Sequence, residues 1–83
     1  TAQKLRQIAE AEALLHRMGF RECRVRHHET IARIEVPADQ LGELIEKREE
    51  ILRALKALGF VYVSLDLQGL RSGSLHEAVR KNA

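Results

Sequence analysis

The chain has one cysteine, one proline and no tryptophan, and each shortage removes a class of answer. A single thiol can form neither an intrachain disulfide nor a multi-cysteine metal site, and it suits a reducing, cytoplasmic setting. Aromatic residues make up only 4% of the chain, too few for a base-stacking surface. No apolar run approaches the roughly 20 residues of a membrane span, and the first residues lack a signal-peptide pattern. Charge of one sign is lacking as well. Fourteen Lys and Arg stand against 12 Asp and Glu, and a net of +2 is not the footprint of a dedicated nucleic-acid binder. Neither a membrane nor a nucleic acid is therefore an expected partner.

What is present is a small, patterned chain. Eighty-three residues make one domain at most. A domain of that size buries roughly 60–65% of its unfolded surface, so its stability margin is thin. The chain opens on Thr1 and runs straight into a helical pattern, which reads as a piece of a longer protein.

From Lys4 to Met18, Leu5, Ile8, Ala11, Leu14, Leu15 and Met18 recur at helical spacing, giving an amphipathic helix that faces a core. Gly19 supplies the left-handed residue that ends it, and Phe20 anchors the chain that follows. Arg21 to His28 then alternates, with Cys23, Val25 and His27 on one face and Arg24, Arg26 and His28 on the other. Glu29 and Thr30 form a turn. Ile31 to Val36 alternates again, with Ala32, Ile34 and Val36 inward and Arg33 and Glu35 outward, so the two strands are antiparallel neighbours.

Pro37 ends the strand and suits the first turn of a helix. Leu41, Leu44, Ile45, Leu52, Leu55 and Leu58 make a second apolar stripe, interrupted by the charged run Glu46 to Glu50. The pattern fits one helix with a polar turn or a short helix joined to a longer one, with the charged run as a solvated face. Gly59-Phe60 repeats Gly19-Phe20 at an offset of forty residues, and Val61 to Leu67 reads as a third strand with Val61, Val63, Leu65 and Leu67 inward. Duplication or two similar helix-to-strand corners would both give that repeat. Ser74 and Glu77 form a capping box for a last helix after the Gln68–Gly73 loop. The expected fold is α+β, a two-layer sandwich in the order α-β-β-α-β plus a C-terminal helix, on a three-stranded, mainly antiparallel or mixed sheet.

The hairpin's outward face gathers Arg24, Arg26, His28, Arg33 and Glu35. Arginines two apart on a strand point the same way and can clamp one anion with forked donors. A solvated face with cross-strand Arg–Glu pairs is the plain alternative. Arg71-Ser72-Gly73-Ser74 leads into a helix N-terminus, where free amides favour phosphate, so Arg24, Arg26 and Arg71 are the candidate anion ligands. His28, Ser72 and Ser74 are secondary candidates. His27 and His28 point to opposite faces, so a protein metal site is not expected, although Glu35 with a bound phosphate could hold Mg²⁺. Cys23 reads as core. There is no Ser-His-Asp arrangement, no paired carboxylates, and neither a P-loop nor a dinucleotide fingerprint.

The blocks RVRHH…ARIEV and LGFVYVSLDLQGLRSGSL resemble the C-terminal domain of the LarE family, over nearly the whole chain. The family comprises PP-loop ATP pyrophosphatases that act as sacrificial sulfur transferases in nickel-pincer nucleotide biosynthesis. The resemblance implies a cytoplasmic parent that uses ATP and Mg²⁺ to adenylylate the carboxylate of a pyridinium mononucleotide. Sulfur then comes from the enzyme's own cysteine or from an iron–sulfur cluster. It also implies that Arg24, Arg26 and Arg71 contact the substrate phosphate, that Glu35 is an active-site or metal-associated carboxylate, and that the parent is a homo-oligomer. The SGGxDS-type PP-loop is missing from the chain, Cys23 does not match the donor cysteine, and Leu70 stands where the family often has an aromatic residue. The domain is thus expected to catalyse nothing alone and to rely on an N-terminal PP-loop domain. A non-enzymatic oligomerisation module or RNA- or ligand-binding module is the alternative.

Overall fold

The computed structural model describes residues 1–70; the expected last helix, with Arg71, Ser72 and Ser74, lies outside them. Helix α1 spans Ala2–Arg17, strands β1 and β2 span Arg24–His28 and Ile31–Glu35, and β3 spans Tyr62–Leu65. A 3-10 turn at Ala38–Gln40 precedes two helices, α2 at Leu41–Glu46 and α3 at Arg48–Ala57. The sheet order is β1-β2-β3, with β1 antiparallel and β3 parallel to the central β2. The sheet is therefore mixed, and the helical pattern after Pro37 is broken at Lys47 into a short and a longer helix. Pro37 itself is extended, with ψ of 145°, and sits just ahead of the 3-10 turn rather than inside a helix.

Period two along the hairpin sorts the side chains by face. Val25, Ala32 and Ile34 are buried with Ala11 and Leu15 of α1 and with Ile51 and Leu55 of α3, so the helices cover one face of the sheet. The other face carries Arg24, Arg26, His28, Arg33 and Glu35. Register is strongly specified, because a slip of one residue would place these charges in the core. The hairpin turns through two residues between the paired His28 and Ile31, and Glu29 takes the left-handed conformation (φ 57°).

Both helix-to-strand corners close in the same way. Gly19 and Gly59 have φ of 105° and 113°. Gly19 N donates to His16 O and Phe20 N to Leu15 O, while Gly59 N donates to Lys56 O and Phe60 N to Leu55 O. That is the Schellman closure twice over, and each drops its phenylalanine into the core. The offset-forty repeat is thus a repeated corner. The Gln7 side chain, from α1, joins the second corner to the sheet: its Nε2 donates to Leu58 O at 2.8 Å, and its Oε1 accepts from His27 Nε2 at 2.9 Å. His27 also packs against Phe60, ring centroids 5.1 Å apart.

Several expectations need correction. Strand β1 begins at Arg24, not Arg21, because residues 18–22 are spent on the corner. Val61 and Leu67 are exposed rather than inward, since β3 is a four-residue edge strand and both lie outside it. Leu5 and Ile45, on the apolar stripes, are also exposed. Lys47, in the charged run, is not merely solvated: its Nζ donates to Met18 O at 3.0 Å and lies 5.3 Å from the Phe20 ring centre. It takes up a carbonyl at the end of α1 that the helix leaves unpaired.

After β3 the chain folds back towards the end of β2. Asp66 N donates to Ile34 O and Leu70 N to Val36 O, with Gly69 between them at φ 81°. A Cβ on Gly69 would lie 2.9 Å from Ala38 N and 3.0 Å from Val36 O, both backbone atoms. Gly69→Ala should therefore destabilise the chain by about 2 kcal/mol in urea unfolding. Gly42→Ala, in α2 with open space around it, should be neutral or stabilising by up to about 1 kcal/mol, the helix-propensity difference.

Cys23 is buried beneath Glu12 O, which its Sγ approaches at 3.9 Å. Burial, then the Glu12 carboxylate, push the thiol from 9.0 up to about 11, with Arg24 opposing. At pH 8 iodoacetamide should thus label the folded chain about 100-fold more slowly than the urea-unfolded chain, the ratio set by two pKa units. The sign for stability follows. The unfolded thiol ionises first, so stability is intact below 9.0 and declines as pH rises from there towards 11.

Candidate anion-binding site

The pleat and register of the hairpin place the charged residues in rows. Arg24 lies opposite Glu35, Arg26 opposite Arg33, and His28 opposite Ile31. Arg26 facing Arg33 is a like-charge pair, which is destabilising when left alone. Glu35 resolves it from the diagonal. Its Oε1 accepts from Arg26 Nε at 3.3 Å and its Oε2 from Arg33 Nη2 at 2.8 Å. Glu35 is only 7% exposed although it sits on the open face, because the two guanidinium groups cover it. Both of its oxygens are engaged.

Arg33 continues the chain of charge. Its Nε lies 3.9 Å from Asp66 Oδ2, an ion pair without a hydrogen bond, and that Nε is buried with no acceptor. Asp66 in turn organises the loop: Oδ1 accepts from Gln68 N at 2.9 Å, and its carbonyl accepts from Gly69 N at 3.0 Å. These residues line a polar cleft of about 370 Å³ whose walls are Arg26, Arg33, Glu35, Asp66 and residues 68–70.

Arg24 and His28 stand beside the cleft, in a shallow groove along β1 that Arg26 and Arg33 also line. The Arg24 side chain has no hydrogen bond or ion pair among the described residues. Arg26 is held through Nε alone, which leaves both terminal nitrogens without a partner. The structure thus places Arg24, Arg26, His28 and Glu35 on one face, with Arg24 and Glu35 at one end of the hairpin, Arg26 next to them and His28 at the far end beside the turn. The chain passes Leu70 at the Glu35 end, pinned to Val36.

Two residues of the site escaped sequence reasoning. Arg33 was visible as an outward residue but not as the group that joins Glu35 to Asp66. Asp66 fell at a strand end, where a carboxylate reads as solvated. The signal that could have found them is register: pairing Arg26 with Arg33 demands a carboxylate nearby.

A metal does not fit this cleft well. Among the described residues no three His, Cys, Asp or Glu side chains come together, and both Glu35 oxygens already accept from arginine. A mainly apolar groove of about 200 Å³ between β3 and the α2–α3 break, with Arg48 in its lining, lies on the helical side, and none of the hairpin arginines lines it. No described helix is long and apolar enough to cross a membrane.

No protein-family model matches the chain. Known proteins do. Over 81 residues it is 41% identical to the pyridinium-3,5-bisthiocarboxylic acid mononucleotide synthase of Lactiplantibacillus plantarum, covering 98% of this chain and 29% of that protein. Over 83 residues it is 36% identical to an uncharacterised protein of Synechocystis sp., covering 98% of this chain and 31% of the other. An uncharacterised protein of Methanocaldococcus jannaschii is 34% identical over 70 residues, covering 84% of this chain and 27% of its own length. The chain spans about three-tenths of the length of these curated relatives. It belongs to the LarE family, of which it matches the C-terminal part.

Proposed function

We propose that this chain is the substrate-phosphate-binding and assembly domain of a LarE-like, ATP-dependent sulfur transferase in nickel-pincer nucleotide cofactor biosynthesis. Arg24 and Arg26, two apart on one edge strand, form the part of the phosphate site that lies among the described residues. The observation that carries this reading is the state of their donors. The Arg24 side chain has no hydrogen bond or ion pair among the described residues, and Arg26 is aimed through Nε with its forked end open. A doubly charged phosphate is the ligand that such a fork suits, because planar bidentate donors match its oxygens. The L. plantarum relative is named as a mononucleotide synthase, and a mononucleotide carries a phosphate of this kind.

Arg71 follows Leu70 in sequence and is proposed as the third arginine, with Ser72 and Ser74 beside it and His28 at the rim. Glu35 orients Arg26 and Arg33. ATP and Mg²⁺ belong to the N-terminal PP-loop domain of the parent, which also supplies the reacting centre, and the parent works as a homo-oligomer in the cytoplasm. The domain's own chemistry is to hold the substrate by its phosphate while the carboxylate is activated elsewhere.

In the full-length parent, Arg24→Ala or Arg26→Ala should lower sulfur transfer about 10–100-fold, the loss of one charge-assisted hydrogen bond to phosphate. Circular dichroism should show both variants folded. Full activity in both would sink the assigned role. Retained activity paired with loss of a salt-sensitive RNA gel shift would instead favour an RNA-binding module.

A further inference from the structure

Arg33 is the residue through which the two sides of the cleft are joined, and phosphate binding by Arg24 and Arg26 gives it no task. Its Nη2 holds Glu35 and its Nε lies against Asp66, so one guanidinium links the strand that orients Arg26 to the loop that ends at Leu70. A direct role as an anion ligand is poorly supported. Its Nη2 is already given to Glu35 and its Nε lies against Asp66, so a phosphate reaching Arg33 would meet a guanidinium whose charge is shared between two carboxylates. Charge accounting points the same way: Arg26 and Arg33 balance Glu35 and Asp66, so the four together are neutral and Arg24 supplies the excess positive charge.

We propose that Arg33 is the positioning residue of the anion site, fixing Glu35 so that Arg26 presents its open fork, and holding the Asp66–Leu70 loop beside it. The proposal rests on the phosphate-binding reading above, but its mechanical half can be measured without any ligand. Glu35 cannot aim Arg26 unless its second oxygen is held, because a carboxylate on a rotatable side chain otherwise follows the guanidinium instead of directing it. Arg33 Nη2 supplies that hold at 2.8 Å, the shorter of Glu35's two bonds. On the loop side the attachment is by charge alone, at 3.9 Å, while the loop's own shape is set by the Asp66 side chain, Gly69 and the Leu70–Val36 bond. Lysine would not replace arginine here. A single ammonium is a point charge and lacks the fork that reaches one carboxylate on β2 and another in the loop after β3.

The test is nuclear magnetic resonance of the ¹⁵N-labelled 83-residue chain, following the Arg26 Nε–H signal and the amides of residues 68–70, with inorganic phosphate as the titrant at low salt. In the wild type the Arg26 Nε–H should be sharp, slow to exchange with water, and shifted by phosphate. In Arg33→Gln it should broaden into solvent exchange, and the phosphate Kd should rise about 10-fold, as expected for losing one oriented charge-assisted contact. Asp66→Asn keeps the acceptor for Gln68 N and removes only the charge facing Arg33. It should leave the Arg26 signal sharp while shifting the amides of residues 68–70, and this decides the loop half even if Arg33→Gln does not fold. An Arg26 signal that survives Arg33→Gln overturns the proposal, and so does a lost signal with unchanged phosphate affinity. Unmoved loop amides in Asp66→Asn overturn the loop half. If the wild type shows the protected Arg26 signal, lost in Arg33→Gln, yet binds no phosphate, the phosphate reading fails and the positioning role stands.

Discussion

A carboxylate set between two guanidinium groups is the interaction on which the open face of this sheet depends. Pairing β1 with β2 in the register that buries Val25, Ala32 and Ile34 forces Arg26 to face Arg33. The core therefore dictates a like-charge contact on the opposite face, and Glu35 is what makes that contact tolerable. Its value is orientation more than stability. Arg26 and Arg33 remain substantially in water, where ion pairs contribute little net free energy. What the arrangement does secure is direction: one nitrogen of Arg26 is held by Glu35 and the remaining two have no partner among the described residues.

The helices serve this hairpin by closing around its other face and its outer edge. Two Schellman corners bring the chain out of α1 and α3 with a phenylalanine turned inward, and Gln7 ties the second corner, through Leu58, to His27 on β1. Edge strands invite unwanted pairing, and β1 is guarded against it. Glu12 of α1 reaches Val25 N at 3.0 Å, so an amide that would otherwise point outward already has its acceptor. The same carboxylate helps keep the Cys23 thiol protonated. Local capping, edge protection and thiol chemistry are thus set by one face of α1.

Much of this was legible because period and register are local properties. Strand alternation placed Arg24, Arg26 and Glu35 on one face before any coordinates, and Gly19 and Gly59 marked the corners through the left-handed backbone that each corner requires. What was not legible depends on distant partners. Lys47 looks like any residue of a charged helix face until the end of α1 is brought beside it. Val61 and Leu67 continue the alternation in sequence, but β3 pairs on one side only and stops at Leu65, so they stay in water. Arg33 and Asp66 are thirty-three residues apart, and only the parallel pairing of β3 with β2 brings them into reach. The resemblance to the LarE family supplied the parent class, which no spacing in the chain could.

The same charge accounting is compatible with the proposed anion site in a domain so nearly neutral. A net of +2 spread over 83 residues is a weak field, and long-range steering is correspondingly small. Within the cleft, however, two arginines are neutralised by carboxylates that hold them still, and Arg24 stands beside them, its side chain with no hydrogen bond or ion pair among the described residues. Binding strength in such a site would come from pre-arranged donors rather than from bulk charge, since donors held in place lose less freedom on meeting a phosphate. It follows that affinity should be more sensitive to the geometry of Glu35 than to the number of lysines on the surface. It follows too that the site is one wall deep. The curated relatives are about three times as long as this chain, and under the proposed function the wall that faces Arg24 and Arg26 belongs to their remaining length.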